Sequence, residues 1–369
     1  MNIEAQETVE TIFKYITAIQ PIRDYENILM KLADMGRELA KADRCTVWVV
    51  DEAKNDLWTK VSQGIDAIRI ELNSGIVGEA ISQGKALIRN DVSTDKHFNS
   101  QIDKQTGYHT KNMMVIPMYN GKNEIIGAFQ VVNKIDGDFN EKDLKYLSLA
   151  AMYSAETLSA ALLAEENSQT QKDMIFLMTE AIEKRSKETG NHIKRVSAYS
   201  RLLAIAYGMS EEDAYVLEFS SPMHDIGKIG IPDAILNKPG KLTEEEFKVM
   251  KEHALLGYEI LSASNKGMLK AAAILAYEHH EKWDGSGYPN SKKGDEIHIF
   301  GRITAVADVF DALGSDRCYK KAWPLEDVLE FFEAQKGKHF DPEIVELLFS
   351  NLDAIVKIRD TYTDGCLQN

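Results

Sequence analysis

The 369-residue chain reads as two domains, an α+β domain followed by an all-α domain, joined by a long helix. Three observations predict this. Over roughly the first 155 residues, runs with the period of a strand alternate with runs with the period of a helix. From about residue 173 nearly every segment has the helical period. Between them, EENSQTQKD (165–173) is polar and has neither Pro nor Gly, which favours a continuous helix over a floppy connection. The expected division is 1–155 for the first domain, 156–172 for a helical linker and 173–369 for the second domain.

The elements follow in order. YENILMKLADMGRELA (25–40) has helical spacing. CTVWVV (45–50) and LWTKV (57–61) read as strands around the polar turn DEAKND. MMVIPM (113–118) and IIGAFQVVNK (125–134) are apolar, β-branched runs separated by YNGKNE, where Asn120-Gly121 signals a hairpin. An antiparallel sheet with flanking helices results. From Phe139, FNEKDLKYLSLAAMYSAETLSAALLAEE predicts a long helix with Asn140 as N-cap and Asp143 supporting its start. The second half then offers MIFLMTEAIEKRSK, HIKRVSAYSRLLAIAYG, EEDAYVLEFSSPMHDIG, TEEEFKVMKEHALLGYEIL, KAAAILAYEHH, FGRITAVADVFDALG, PLEDVLEFFEAQKG and DPEIVELLFSNLDAIVKI as helices. Gly208, Gly240, Gly267, Gly314 and Gly337 mark breaks between them.

Bulk properties narrow the function classes. An apolar fraction of 44% with 27% charged residues is the profile of a globular protein. The three cysteines, Cys45, Cys318 and Cys366, are odd in number and scattered, which argues against a disulfide framework and for a reducing compartment. No secretory pattern opens the chain, and no uncharged apolar run approaches the ~20 residues that span a bilayer, so a cytoplasmic location without membrane attachment is expected. With 43 basic against 58 acidic residues the net charge is −15, which repels a nucleic-acid polymer but not a small phosphorylated ligand in a local pocket.

The chemistry concentrates in the helical half, which holds seven of the nine histidines. In KETGNHIKR, Glu188 and His192 stand four apart, on one face of a helix. MHDIGK supplies His224, Asp225 and Lys228; KEHALLG supplies His253; YEHHE supplies His279 and His280; VADVFD sets Asp308 in an apolar helix. Imidazole and carboxylate donors suit first-row divalent ions, and the lack of nearby Cys argues against a structural zinc site. Several of these and neighbouring residues also have a plain structural explanation. His253 on a Leu-rich helix reads as an ordinary histidine when taken alone. The turn DGSGYP reads equally as a rigid loop with Tyr288 packed in it. His339 reads as a helix-entry residue, and His298 carries little signal. Asp308 resists such an explanation, because a carboxylate buried without a partner is costly. The pair His279-His280 also resists it, since neighbours on a helix point ~100° apart and both serve only if something, such as two metals, lies between those directions. The set is persuasive jointly.

Taken in order, MHDIGKIGIPDAIL, KPGKLTEEE, HHEKWDGSGYP, ADVFDAL and HFDPEIV resemble the HD-GYP family of metallophosphohydrolases over about residues 173 to 350. The resemblance implies a cyclic di-GMP phosphodiesterase giving linear pGpG and, in some members, GMP. It implies metal ligation by Glu188, His192, His224, Asp225, His253, His279, His280 and Asp308. It further implies two or three iron ions, three being favoured by Glu188, with manganese as the alternative. Lys228 matches the motif lysine, and Arg317 and Lys320 in SDRCYKK match positions that hold the nucleotide phosphates. Cys318 stands where many relatives have Pro. Asp225, with two oxygens, is the natural bridge between two ions; the ions would activate a water and clamp the phosphoryl oxygens while Lys228 neutralises charge.

The first 155 residues resemble a GAF domain, a small-molecule sensor; the helix–sheet order, GIVGEAISQGKALIRNDV and VVNKIDGDF all fit. The cyclic-nucleotide signature of such domains is incomplete: Asn133, Lys134, Phe139 and Asp143 are present, but Leu144 replaces the Glu. Cys45, His97 and His109 give no clear haem or bilin site, so the ligand is left as an unknown small molecule. Two alternatives to a cyclic di-GMP phosphodiesterase stay open: hydrolysis of another cyclic dinucleotide, and a non-enzymatic effector that binds the messenger. A stripe of Leu144, Leu147, Ala151, Ala155, Leu158 and Leu162 predicts a homodimer paired along the linking helix, with packing on its own sheet as the competing explanation.

Overall fold

The computed structural model describes residues 3–20, 22, 24–59, 68–99, 103, 107–186, 190–315 and 321–363. The chain divides into two compact units, residues 1–168 and 169–369.

The first unit is built on one six-stranded sheet of order β3-β2-β1-β6-β5-β4. Its strands are β1 (Ala42–Asp51), β2 (Asp56–Thr59), β3 (Ile68–Glu71), β4 (Leu87–Arg89), β5 (Met113–Tyr119) and β6 (Ile125–Lys134). Every pairing is antiparallel, with Val47 opposite Phe129 and Ile116 opposite the same residue from the other side. Period-two alternation sorts the side chains. Val47, Val49, Met114, Ile116, Met118, Phe129 and Val131 face one core, shared with Leu29, Leu32 and Met35 of helix α2 (Tyr25–Ala40). Trp48, Met113, Val115, Ala128 and Val132 face the other, against Ile76, Val77 and Ala80 of helix α3 (Gly75–Gln83). Helix α1 (Ile3–Ile19), which the sequence reading passed over, adds Ile19 to the first core. The β5–β6 hairpin forms as expected, but Asn123, not the Asn-Gly pair, takes the left-handed conformation, with φ 64°. Asn120 instead caps the loop, its Oδ1 accepting from the Lys122 and Glu124 amides.

One helix, Glu141–Arg185, begins in the first unit and ends in the second. Asn140 Oδ1 accepts from the Lys142 amide at 2.9 Å, as an N-cap should. Lys134 pairs with Asp143, tying β6 to the start of this helix. The stripe read as a dimer seam is spent elsewhere. Leu147, Ala150, Ala151, Ala155 and Leu158 are buried in the first core, and Leu144, Ala161 and Leu162 pack on it. Residues 156–162 therefore belong to the first unit rather than to a separate linker. By length and composition alone one stretch of this helix could cross a membrane, but it carries the charged Glu156, in keeping with the expectation that no uncharged apolar run approaches ~20 residues. One side of that stretch packs into the first core, while Leu149, Met152 and Leu163 on another side stay exposed.

In the second unit, helices Gly190–Ala206, Glu211–Ser220, Glu244–Ser262, Gly267–Glu278, Ile299–Gly314, Leu325–Gln335, Pro342–Ser350 and Leu352–Thr361 enclose a core of Val196, Tyr199, Leu217, Leu275, Ile303, Val306, Phe310, Phe332 and Phe340. Two expected helices are interrupted. The segment from Glu211 leaves α geometry at Ser220 and continues as a 3-10 helix, Ser221–Gly230. Pro222 explains the change, because it cannot donate to the Glu218 carbonyl. That carbonyl accepts from the hydroxyls of Ser197 and Ser221 instead, at 2.7 and 3.3 Å. The last predicted helix breaks at Asn351.

Candidate metal centre

Five elements of the second unit converge. The 3-10 segment Ser221–Gly230 carries His224, Asp225 and Lys228, and helix Glu244–Ser262 carries His253. They lie side by side because Gly227 packs on that helix with no room for a Cβ, which would meet the His253 carbonyl oxygen at 1.9 Å. His279 and His280 follow the end of helix Gly267–Glu278. His192 and Asp308 project from helices Gly190–Ala206 and Ile299–Gly314. Two groups of potential ligand atoms result, each within 4.8 Å: Asp225 with His253, His279 and His280, and Asp308 with His192 and His224. Seven of the eight residues expected as ligands are thus brought together. Glu188 lies outside the described residues, as do Arg317, Lys320 and Cys318. His279 and His280 join one group rather than straddling two: His279 caps the helix end, and the two rings lie 4.0 Å apart.

Asp225 stands between the groups. Its Oδ1 is 3.3 Å from His253 Nε2 and 3.6 Å from His279 Nε2, while Oδ2 is 3.3 Å from His224 Nε2 and 2.7 Å from Lys228 Nζ. Asp308 Oδ1 is 3.6 Å from His192 Nε2 and 3.9 Å from His224 Nε2.

The orientation of the imidazoles is fixed from behind. Nδ1 of His224 donates to the Ser221 carbonyl at 2.7 Å, that of His253 to the Met250 carbonyl at 2.6 Å, and that of His279 to the Leu275 carbonyl at 2.9 Å. A carbonyl only accepts, so Nδ1 carries the hydrogen and Nε2 of each ring faces inward, where it offers a lone pair whenever the ring is neutral. His192 achieves the same through a side chain, its Nδ1 donating to Asp311 Oδ2 at 2.8 Å. Asp311 is 1% exposed and is held in turn by Arg195, whose Nε and Nη2 lie 2.5 and 3.0 Å from its two oxygens. The sequence reading missed Asp311 and Arg195. Its one available signal was the Asp308/Asp311 spacing of three, which puts both carboxylates near one helix face.

Lone pairs aimed at one another and at carboxylates call for a cation. His224 Nε2 and Asp225 Oδ1 are buried without a hydrogen bond among the described residues, which is costly unless something binds them. Protonation behaviour agrees. Burial works against charge on His224, but the Asp225 and Asp308 carboxylates outweigh it and push its pKa to about 10. Burial opposes ionisation of Asp225, yet Lys228 and His224 hold it well below the usual carboxylate range. Burial lowers His253 to about 4 and holds His280 well below the usual imidazole range. The cavity therefore takes up positive charge at one ring while keeping others as neutral donors. A purely nitrogen and oxygen donor set of this kind fits first-row divalent ions.

The turn that follows the His pair serves this wall. Glu281, 2% exposed, accepts from the Asn290 and Lys292 amides at 2.7 and 3.0 Å and folds the loop back. Gly287 passes so close to the preceding turn that a Cβ would meet the Lys282 nitrogen at 2.3 Å. The Tyr288 amide donates to the His280 carbonyl, and its ring lies over His280 at 4.7 Å and 31°. His339 stacks on Phe340 at 4.2 Å, and His298 Nδ1 accepts from the Phe300 amide as a helix cap; neither belongs to the two groups.

An HD-domain model matches residues 169–344 and a GAF-domain model residues 24–158. Among curated proteins, the chain is 44% identical over 227 residues to 3'3'-cGAMP-specific phosphodiesterase 2 of Vibrio cholerae, covering 62% of this chain and 44% of that one. It is 43% identical over 211 residues to the cyclic di-GMP phosphodiesterase response regulator RpfG of Xanthomonas campestris, with coverage of 57% and 56%. It is 46% identical over 205 residues to a cyclic di-GMP phosphodiesterase of Thermotoga maritima, with coverage of 54% each way. The chain spans about half the length of these relatives.

Proposed function

We propose that this chain, in which a GAF domain precedes an HD domain, is a metal-dependent phosphodiesterase of the HD-GYP type that hydrolyses cyclic di-GMP. The observation that carries the reading is the tautomer lock: four imidazoles anchored at Nδ1, with Nε2 turned toward Asp225 and Asp308. His192, His224, His253, His279, His280, Asp225 and Asp308 would hold the ions, with Asp225 between the two groups and Glu188 adding a donor for a third. Iron is the expected metal, with manganese as the alternative. Bound there, the ions would lower the pKa of a water and polarise the phosphoryl group.

The chain's own residues do the rest. Lys228 Nζ, 2.7 Å from Asp225 Oδ2, lies where it can neutralise charge on the phosphoryl or leaving oxygen. Arg317 and Lys320 would clamp the second phosphate of a cyclic dinucleotide. The product is linear pGpG, with GMP following if the linear form is retained. In the first unit, the cleft lined by Phe98, Tyr108, His109 and Thr110 is the proposed seat of a small regulatory ligand. The chain is proposed to be a homodimer, now through the side of the long helix that leaves Leu149, Met152, Leu163 and Leu177 exposed.

A second reading has a specific motive: the 44%-identical relative is a 3'3'-cGAMP-specific phosphodiesterase, so the adenine-containing dinucleotide is the rival substrate. Anaerobically purified, metal-analysed protein incubated with cyclic di-GMP and 3'3'-cGAMP, with products separated by chromatography, decides between them. Cleavage of neither by metal-replete protein, with binding retained, would leave a messenger-binding effector. Arg317→Ala should raise KM more than it lowers kcat, and normal affinity in that variant would remove the clamp assignment.

A further inference from the structure

We propose that Glu183 and Arg185, in the last turn of the long helix, are positioning residues for Lys228; this rests on the role given to Lys228 above. Neither belongs to the motifs that the sequence singled out. Glu183 is a carboxylate 2% exposed to solvent, and its Oε1 lies 4.0 Å from Lys228 Nζ. Arg185 grips the backbone of the same segment. Its Nη1 donates to the carbonyls of Lys228 and Ile229 at 2.8 and 2.9 Å, and its Nη2 to that of Ile231 at 2.6 Å. Its Nε donates to Asp233 Oδ1 at 2.9 Å, which fixes the plane of the guanidinium.

One turn of helix therefore holds Lys228 at both ends, main chain by Arg185 and ammonium by Glu183. The Glu183 contact matters most once Asp225 is committed to ions. Asp225 Oδ2 pairs with Lys228 Nζ at 2.7 Å, and an ion held by Asp225 would compete with the ammonium for that carboxylate. Glu183 then keeps the ammonium from swinging away. Arg185 suits its task because a planar fork with five donors can serve several carbonyls at once, which a lysine ammonium on a flexible stem cannot. Since the helix that bears both residues begins at Glu141, a shift or rotation of its end acts directly on a group facing the substrate.

The test uses full-length, metal-replete protein and whichever of cyclic di-GMP and 3'3'-cGAMP it cleaves. Glu183→Gln and Arg185→Gln should each lower kcat about tenfold, with KM within twofold and metal content unchanged, because small misplacement of a reacting group costs rate rather than binding. Arg185→Lys should not restore kcat, whereas Glu183→Asp should restore part of it. In a Lys228→Ala background the same two changes should cost less than about twofold, since they act through the missing ammonium. A readout independent of turnover is the rate at which acetic anhydride labels Lys228, followed by mass spectrometry; it should rise severalfold in both variants. Full additivity in the Lys228→Ala background, or unaltered labelling, overturns the positioning claim. Normal turnover in Lys228→Ala itself overturns the role of Lys228 instead, and the two failures are told apart by that single variant.

Discussion

Replacing Asp311 by Asn isolates the one imidazole whose orientation depends on a side chain. Asp311 accepts from His192 Nδ1 on Oδ2 and from Arg195 on both oxygens, at 2.8, 2.5 and 3.0 Å. An amide has one oxygen to offer. If it faces Arg195 Nε, the amide NH2 meets His192, and the ring must present its Nδ1 lone pair and move its proton to Nε2, the atom turned toward Asp308. If it faces His192, two donors meet at Arg195 Nε. Either way a buried group is left opposed. Loss of such an outer carboxylate costs about 10–100-fold in metal affinity, or about 1.4–2.7 kcal/mol. Leaving the 2%-exposed Arg195 without its carboxylate adds about 3 kcal/mol of lost stability even without metal. For a unit of this size that corresponds to about 6–12 °C in Tm. Manganese titration by calorimetry and thermal melts of metal-free protein measure the two parts separately. Wild-type manganese affinity in the Asp311→Asn variant would refute the tautomer argument, and an unchanged metal-free melt would refute the buried-pair argument.

Other outcomes follow from the same geometry. Exchange of both His224 and Asp225 for Ala should abolish metal binding and turnover together. Chelation of the intact protein should lower Tm, because it returns unshared lone pairs to the cavity; an indifferent Tm would speak against bound ions. Gly287→Ala should cost about 1–3 kcal/mol, read as a urea midpoint, because its Cβ meets backbone at 2.3 Å. His339 sits at about 4, held down by burial and then by Lys282. Above the ordinary value of about 6.5 it is neutral folded and unfolded, and its contribution is fully present. Between about 6.5 and 4 only the unfolded chain takes up the proton, so stability falls as pH falls. His339→Asn should flatten that decline in denaturation midpoints taken from about pH 7 to about pH 4.5.

The fold was legible where side-chain period and turn chemistry agree. The strands around DEAKND and YNGKNE and the helix 25–40 lie where the sequence predicts them among the described residues; the end of LWTKV, residues 60–61, lies outside these. So do both domain types, since periodicity reports which face is buried. Periodicity does not report against what. The stripe from Leu144 to Leu162 is the same pattern whether it meets a sheet or a twin helix, and it meets the sheet. The ligand-type residues were visible because clustered His and Asp are hard to explain as core. The residues behind them were not. Asp311 and Arg195 read as ordinary polar residues until the fold buries them together, and Glu183 lies in a stretch rich in Glu and Lys with nothing to distinguish it.

The main-chain anchors of His224, His253 and His279 have an evolutionary consequence. Every residue type has the same carbonyl, so positions 221, 250 and 275 can drift without disturbing the direction in which these rings point. The helix supplies the orientation and the histidine alone supplies the chemistry. A lineage could thus retain three of its four locked imidazoles through wide divergence of the surrounding sequence. Tolerance ends at His192, where the acceptor is the Asp311 side chain, which a single nucleotide change can remove.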